Sequence, residues 1–213
     1  MDIRFSNEEF AKLKDMLPVY EWGLKTLMTK LSIMNDDLRS FQDSSAVDYI
    51  RSRIKAPESI ARKLHDMGLD VTAENAKKRL RDIAGVRILT PFGRDIYFLA
   101  SIIRSMPDIK ILAEKDFIST PKPSGYRSYH LIIEVPVFYS GRTENVVVEV
   151  QIRTEAMNFW ASLEHKARYK YKEQANIPQH LRDELVQLAE QIARMDKRMF
   201  TIYEIISLIN PDE

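Results

Sequence analysis

The run Asn145-Val-Val-Val-Glu-Val-Gln-Ile-Arg153 constrains the fold more than any other part of the chain. Side chains of a β-strand alternate between its two faces. Val146, Val148, Val150 and Ile152 therefore share one face, and Val147, Glu149, Gln151 and Arg153 share the other. A strand so rich in valine belongs in the middle of a sheet. One of its faces closes a core, while the other presents a carboxylate, an amide and a guanidinium in a row. That polar row is either a solvated sheet surface or a working site.

Helical periodicity surrounds this strand. Ser6 and Glu9 have capping-box spacing. After them Phe10, Leu13, Leu17, Tyr20, Leu24, Leu27 and Leu31 step by threes and fours, which predicts a helical extension over 6–31 that Pro18 kinks or splits. Pro178 is placed to open a second extension over 178–208. In it Leu181, Leu185, Leu188, Ile192, Met195, Met199, Ile202 and Ile206 form a heptad seam. The seam either packs on its own domain or also serves an oligomer interface.

Between the extensions the pattern alternates. It predicts a short helix over Ser44–Arg53, a helix over Pro57–Met67 stopped by Gly68, and a basic helix over Thr72–Arg81. A strand over Gly85–Thr90, a helix over Arg94–Met106 and a strand over Ile109–Ala113 follow. Pro121, Pro123 and Gly125 make Ser119–Gly125 a loop. Tyr129–Val137 and Asn145–Arg153 read as a hairpin turning near Ser140-Gly141, and Glu155–Tyr171 as a helix. The order predicts an α/β (α+β) domain over 1–213, a mixed sheet flanked by helices with the two helical extensions at its ends.

Composition narrows the function. The chain has no cysteine, which excludes disulfides, thiolate metal sites and cysteine nucleophiles. Its 32 basic and 31 acidic residues leave a net charge of +1, against the clear basic excess of a general nucleic-acid binder. RNA binding is therefore not expected as the main role. No apolar run approaches the roughly 18 residues of a membrane span, and the start lacks an apolar signal core. We read the location as cytoplasmic.

Charged and aromatic side chains gather at a few places. Asp82, just before the Gly85 strand, and Glu149 could share a Mg²⁺, which prefers few carboxylates and completes its shell with water and phosphates. Alone, Asp82 would read as a helix-end or salt-bridge residue. Arg53, Lys55, Ser59 and Lys63 could converge on a polyphosphate at the first turn of the Pro57 helix, or be ordinary solvated positions. The guanidinium plane of Arg87 could stack on a base. In the loop Thr120–His130, Lys122 and Arg127 offer charge and Tyr126 a ring for a purine, although a lone tyrosine is more often packing. Asn158, near the first turn of the next helix, could read a base edge. Glu164 and His165 read as structural, and the pair His65-Asp66 as isolated; the four histidines lack zinc spacing.

Four blocks now stand in order: Asp82-Ile-Ala-Gly-Val-Arg87, Lys122-Pro-Ser-Gly-Tyr-Arg-Ser-Tyr-His130, Glu149-Val-Gln-Ile-Arg-Thr154 and Asn158-Phe-Trp-Ala-Ser-Leu-Glu-His165. Together they resemble the synthetase domain of the RelA/SpoT family over roughly residues 45–172, and in particular its single-domain small alarmone synthetases, closer to the RelP than to the RelQ branch. The resemblance implies a nucleotidyltransferase-like fold with about five strands. It implies transfer of the β,γ-pyrophosphate of ATP to the 3′-hydroxyl of GDP or GTP, with synthesis but no hydrolysis of the alarmone. Arg53 and Arg87 would sandwich adenine, while Lys55, Ser59 and Lys63 hold the phosphates. Asp82 and Glu149 would bind Mg²⁺, and Glu149 would also help deprotonate the acceptor. Tyr126 would stack on guanine and Asn158 read its edge, with Lys122, His130 and Gln151 positioning the acceptor. A homotetramer through the flanking helices is implied as well. Tyr129 stands where many relatives carry leucine, and a packing change is expected there. The rival readings are a nucleotidyltransferase of the same fold, which would release pyrophosphate, and an RNA-binding regulator.

Overall fold

The computed structural model describes residues 7–41, 46–171 and 177–209. Pro18 splits the first apolar stripe into helices α1 (Asn7–Asp15) and α2 (Leu17–Phe41). The stripe itself is the buried side: Leu13, Leu27 and Leu31 are fully covered, and Tyr20 and Leu24 nearly so. Ser6 of the expected capping box lies outside the described residues.

The expected helix over 44–53 is not formed where the chain is described; strand β1 (Tyr49–Ile54) takes its place. It pairs antiparallel with strand β2 (Ala84–Thr90), placing Arg51 opposite Arg87 and Arg53 opposite Gly85. Ile50 and Ile54 pack against the core, as one face of a strand. Helix α3 (Pro57–Asp66) starts on its proline, and helix α4 (Ala73–Arg79) is capped by the Thr72 hydroxyl, which accepts from the Asn75 amide at 3.1 Å. Helix α5 (Gly93–Ser105) and strand β3 (Lys110–Asp116) follow. Strands β4 (Tyr129–Tyr139) and β5 (Arg142–Thr154) form the expected hairpin. Its two turn residues, Ser140 and Gly141, have φ of 47° and 75°, the hand a tight two-residue hairpin needs. Helix α6 (Glu155–Lys170) is capped by the Thr154 hydroxyl, and helix α7 (Gln179–Ile209) begins after Pro178.

The five strands form one mixed sheet in the order β1-β2-β5-β4-β3, parallel only between β2 and β5. β5 is its central strand. Val146, Val148, Val150 and Ile152 are buried in the main core beneath α2 and α5. A second, small apolar cluster joins Trp160 and Ala161 of α6 to Ala189 of α7, with Tyr126, Leu185 and Ile192 against it. The α7 seam thus divides in two. Leu185 and Ile192 pack on this chain, whereas Met195, Met199, Ile202 and Ile206 are each 44–58% exposed. Among the described residues no helix is long and apolar enough to cross a membrane.

Tyr129 is 6% exposed, and its hydroxyl accepts from Arg104 and donates to Glu114. It thereby ties α5 to β3, a bond that leucine could not make.

Candidate active site

Strand register converts the alternation of β5 into a map. Partners across a sheet share a face. One row runs Arg53, Gly85, Glu149, Ile132; the next runs Arg51, Arg87, Gln151, His130, Lys115. Gly85 leaves the floor between Arg53 and Glu149 bare. A β-carbon there would stand 3.7 Å from the Arg53 side chain and 3.8 Å from the Glu149 carbonyl.

Asp82 approaches this floor from the turn before β2. Its Oδ2 accepts from Lys55 Nζ and from Lys63 Nζ, both at 2.8 Å. Its Oδ1 is buried without a hydrogen-bond partner among the described residues. Burial pushes the carboxyl pKa up, but the two ammonium groups outweigh it and hold the group below the usual carboxylate range. Ser59 lies one turn before Lys63 on the same helix. An orphaned carboxylate oxygen beside a second carboxylate fits a hard cation. Among the described residues no group of three or more His, Cys, Asp or Glu side chains could hold a metal. A cation here would complete its shell from water and substrate oxygens, as Mg²⁺ does.

Glu149 is held differently. Its Oε2 accepts from Gln151 Nε2 at 2.8 Å, and its Oε1 lies 3.2 Å from His130 Nδ1. Burial raises its pKa, the His130 and Gln151 donors lower it, and the net shift is downward. Arg87 is partly buried and its pKa is lowered, by burial first and then by the charges of Arg153 and Arg53. Its Nη1 reaches Asn158 Oδ1 at 3.4 Å, and its Nε is buried without a partner among the described residues. Asn158, on the first turn of α6, thus meets β2 at the same site.

The loop before β4 forms the far wall. Gly125 has φ +89°, and a β-carbon on it would come within 2.6 Å of Ala189 Cβ, so only glycine fits. Arg127 Nη1 donates to the Gly125 and Ala189 carbonyls and pins the loop to α7. Tyr126 projects into the site, where its hydroxyl pairs with His130 Nε2 at 2.9 Å and with Arg153. Lys122 Nζ stands 4.8 Å from the centre of the Tyr126 ring and 4.7 Å from that of Phe117. A base stacking on that side of Tyr126 has to displace this ammonium. Partial burial lowers the Lys122 pKa, with help from Lys115.

The expected site residues on β1, β2, β4, β5, α3, α6 and the loop therefore face one surface. Sequence reasoning missed two others. Arg51 was hidden by the helical reading of 44–53, although the alternation Tyr49-Ile-Arg-Ser-Arg-Ile54 carries the signal. Arg153 was placed on the right face but given no role. His65 and Asp66 sit apart on the surface, 3.8 Å from each other. Glu164 pairs with Arg168 and lines a separate cavity of about 250 Å³ with Ser124 and Arg182, behind the loop.

Cations ranged around two partly buried carboxylates, on the open face of a mixed sheet, define a domain built to handle polyphosphate nucleotides. The particular family follows from comparison. Residues 52–174 match the family model described as the region found in RelA / SpoT proteins, and the chain belongs to that family. It is 43% identical over 189 residues to GTP pyrophosphokinase YwaC of Bacillus subtilis, covering 89% of each chain. Its fold superposes on the crystal structure of small alarmone synthetase 2 from Bacillus subtilis with a TM-score of 0.80 at 42% identity, over 90% of this chain and 97% of that one. Small alarmone synthetase 1 from the same organism, bound to its product pppGpp, gives a TM-score of 0.80 at 32% identity over 88% and 94%.

Proposed function

We propose that the protein is a (p)ppGpp synthetase, which transfers the β,γ-pyrophosphate of ATP to the 3′-hydroxyl of GDP or GTP and releases AMP. The observation that carries this reading is the Glu149 carboxylate at the bare floor beside Gly85, within electrostatic reach of Asp82, whose Oδ1 has no partner among the described residues. Membership of the family and the likeness to a synthetase bound to pppGpp support it.

Each group then has a task. Arg53 and Arg87 hold the adenine of ATP. Lys55, Ser59 and Lys63 bind its phosphates, so the two lysines leave Asp82 when the donor arrives. Asp82 and Glu149 would hold Mg²⁺, which when bound would neutralise polyphosphate charge and polarise the β-phosphorus. Tyr126 stacks on guanine, Asn158 reads its edge, and Lys122, released from its two rings, turns to the acceptor, which His130 and Gln151 position through their bonds to Tyr126 and Glu149. Glu149 takes the proton of the 3′-hydroxyl as that oxygen bonds to the β-phosphorus and the bond to the α-phosphate oxygen breaks. Positioning and charge neutralisation supply most of the rate. The exposed distal seam of α7 supports assembly through the flanking helices, and a homotetramer is the state we propose.

The test uses γ-labelled ATP, Mg²⁺ and either GDP or GTP with the purified protein. Label appearing on the guanine nucleotide with one AMP per transfer is expected. Release of pyrophosphate with the nucleotide retained on product would make the protein a nucleotidyltransferase instead. Salt-sensitive RNA binding without transfer would favour the regulator.

A further inference from the structure

Arg153 is 4% exposed, yet among the described residues it has no partner carboxylate in hydrogen-bond contact. Its Nε donates to Ser128 Oγ at 3.2 Å, and its Nη2 donates both to Gln151 Oε1 at 2.7 Å and to the Tyr126 hydroxyl. An arginine has only donors, so every hydrogen bond leaving it has a fixed direction. Gln151 accepts on its oxygen and must present its NH₂ to Glu149 Oε2. Tyr126 accepts from Arg153, which leaves its own proton free to be given to His130 Nε2, 2.9 Å away. With the Tyr126 proton so directed, the matching tautomer of His130 carries its hydrogen on Nδ1, 3.2 Å from Glu149 Oε1. Two arms therefore leave one buried guanidinium and end on the two oxygens of one carboxylate. One of them passes through the ring expected to carry the acceptor base.

We propose that Arg153 is the positioning residue of the site: it sets the hydrogen-bond polarity of both arms and so couples the base platform Tyr126 to the orientation of Glu149. The coupling rests on the roles given to Tyr126 and Glu149 in the proposed reaction. The wiring itself does not. Chains of hydrogen bonds polarise one another in a low-dielectric site, which makes the arms act as a unit. Arg153 also lies against the Tyr126 ring, its Cζ 5.0 Å from the centre, and so steadies the platform.

Two measurements on the full chain decide the matter. The first is the ¹⁵N NMR tautomer of His130 in ¹⁵N-histidine-labelled protein, assigned by its loss in His130→Gln. Wild type is expected to hold the hydrogen on Nδ1, and Arg153→Met to lose that preference. A wild-type Nε2–H tautomer overturns the proposal whether or not the enzyme transfers pyrophosphate. Absence of transfer in a protein with the expected tautomer would instead remove the functional reading alone.

The second is a kinetic cycle. Tyr126→Phe keeps the ring and cuts one arm, so kcat should fall about 10-fold while acceptor KM stays within about two-fold. Arg153→Met cuts both arms and should lower kcat by about 100-fold, and Arg153→Lys should recover part of the loss. The double variant of Tyr126→Phe and Arg153→Met should be no worse than Arg153→Met alone. Losses that multiply, or an Arg153→Met that affects only melting temperature, would show a packing role and overturn the proposal. If Arg153→Met does not fold, Tyr126→Phe and His130→Gln, which share one arm, take its place with the same non-additivity expected.

Discussion

Asp82 reaches the site from a turn and Glu149 from the middle of the central strand, and their side chains are equally covered, at 16% exposure each. Both have pKa values held below the ordinary range against the pull of burial. The means are opposite. Asp82 has two ammonium groups on one oxygen and, among the described residues, no partner on the other. Glu149 has one directed donor on each oxygen, each fixed in turn by other side chains. Lysine is a point charge on a flexible stem and can change partners. An amide or imidazole locked by a buried arginine cannot. Asp82 is thus built to release what it holds when polyphosphate arrives, and Glu149 is built to keep one orientation throughout.

The largest effect should come from Glu149→Gln. The amide cannot take a proton, and its NH₂ would face one of the two donors that now point at the carboxylate. Turnover should fall by about 10³-fold or more with the fold retained, while the melting temperature drops at pH 7 because the lowered pKa of Glu149 also adds stability there. Wild-type rates in this variant would remove Glu149 from the chemistry.

Asp82→Asn should cost less, about 10²-fold in turnover, with more Mg²⁺ needed for half-maximal rate. It also separates the two carboxylates. Lys55 and Lys63 lose their counter-ion in this variant, so a non-hydrolysable ATP analogue in the presence of a chelator should bind several-fold tighter, by roughly 1 kcal/mol. Glu149→Gln should leave that affinity unchanged. Calorimetry showing the same metal-free affinity in both variants would mean the lysines do not exchange between Asp82 and phosphate.

The sequence disclosed these two carboxylates unequally. The β5 alternation is legible because its two faces carry different chemistry, and the helices because their stripes are long. β1 was misread because Ile50 and Ile54 are four apart, a spacing that satisfies a helical turn and an even strand period alike. Its true partner, β2, lies some thirty residues downstream, beyond any local pattern. The lysine clasp on Asp82 spans 27 and 19 residues, and the Arg153–Tyr126 bond another 27. Such contacts depend on register and side-chain rotamer. Residue types named the members of the site, while tertiary geometry decided who holds whom.

Asp196 sharpens the comparison from outside the site. It is 6% exposed on α7 and accepts from the Thr154 hydroxyl at 2.6 Å, the same hydroxyl that caps α6. One neutral donor does not match the cost of burial, and its pKa is raised from the ordinary 3.8. The linkage signs therefore oppose each other. Asp82, with its folded pKa lowered, adds stability above its unfolded value, and that stability is lost as pH falls through the folded value. Asp196 does the reverse: stability falls as pH rises from 3.8 through its raised folded value, and the penalty is complete above it. Asp196→Asn keeps an acceptor for Thr154 and removes the charge. It should raise the melting temperature at pH 7 by about 2–4 °C, the gain fading as pH falls toward 3.8. Asp82→Asn, melted in chelator, should instead lower it at pH 7, with the loss fading below 3.8. Melting curves that shift in the same direction for both variants would mean that the number and charge of the donors do not decide how a buried carboxylate in this fold stays ionised.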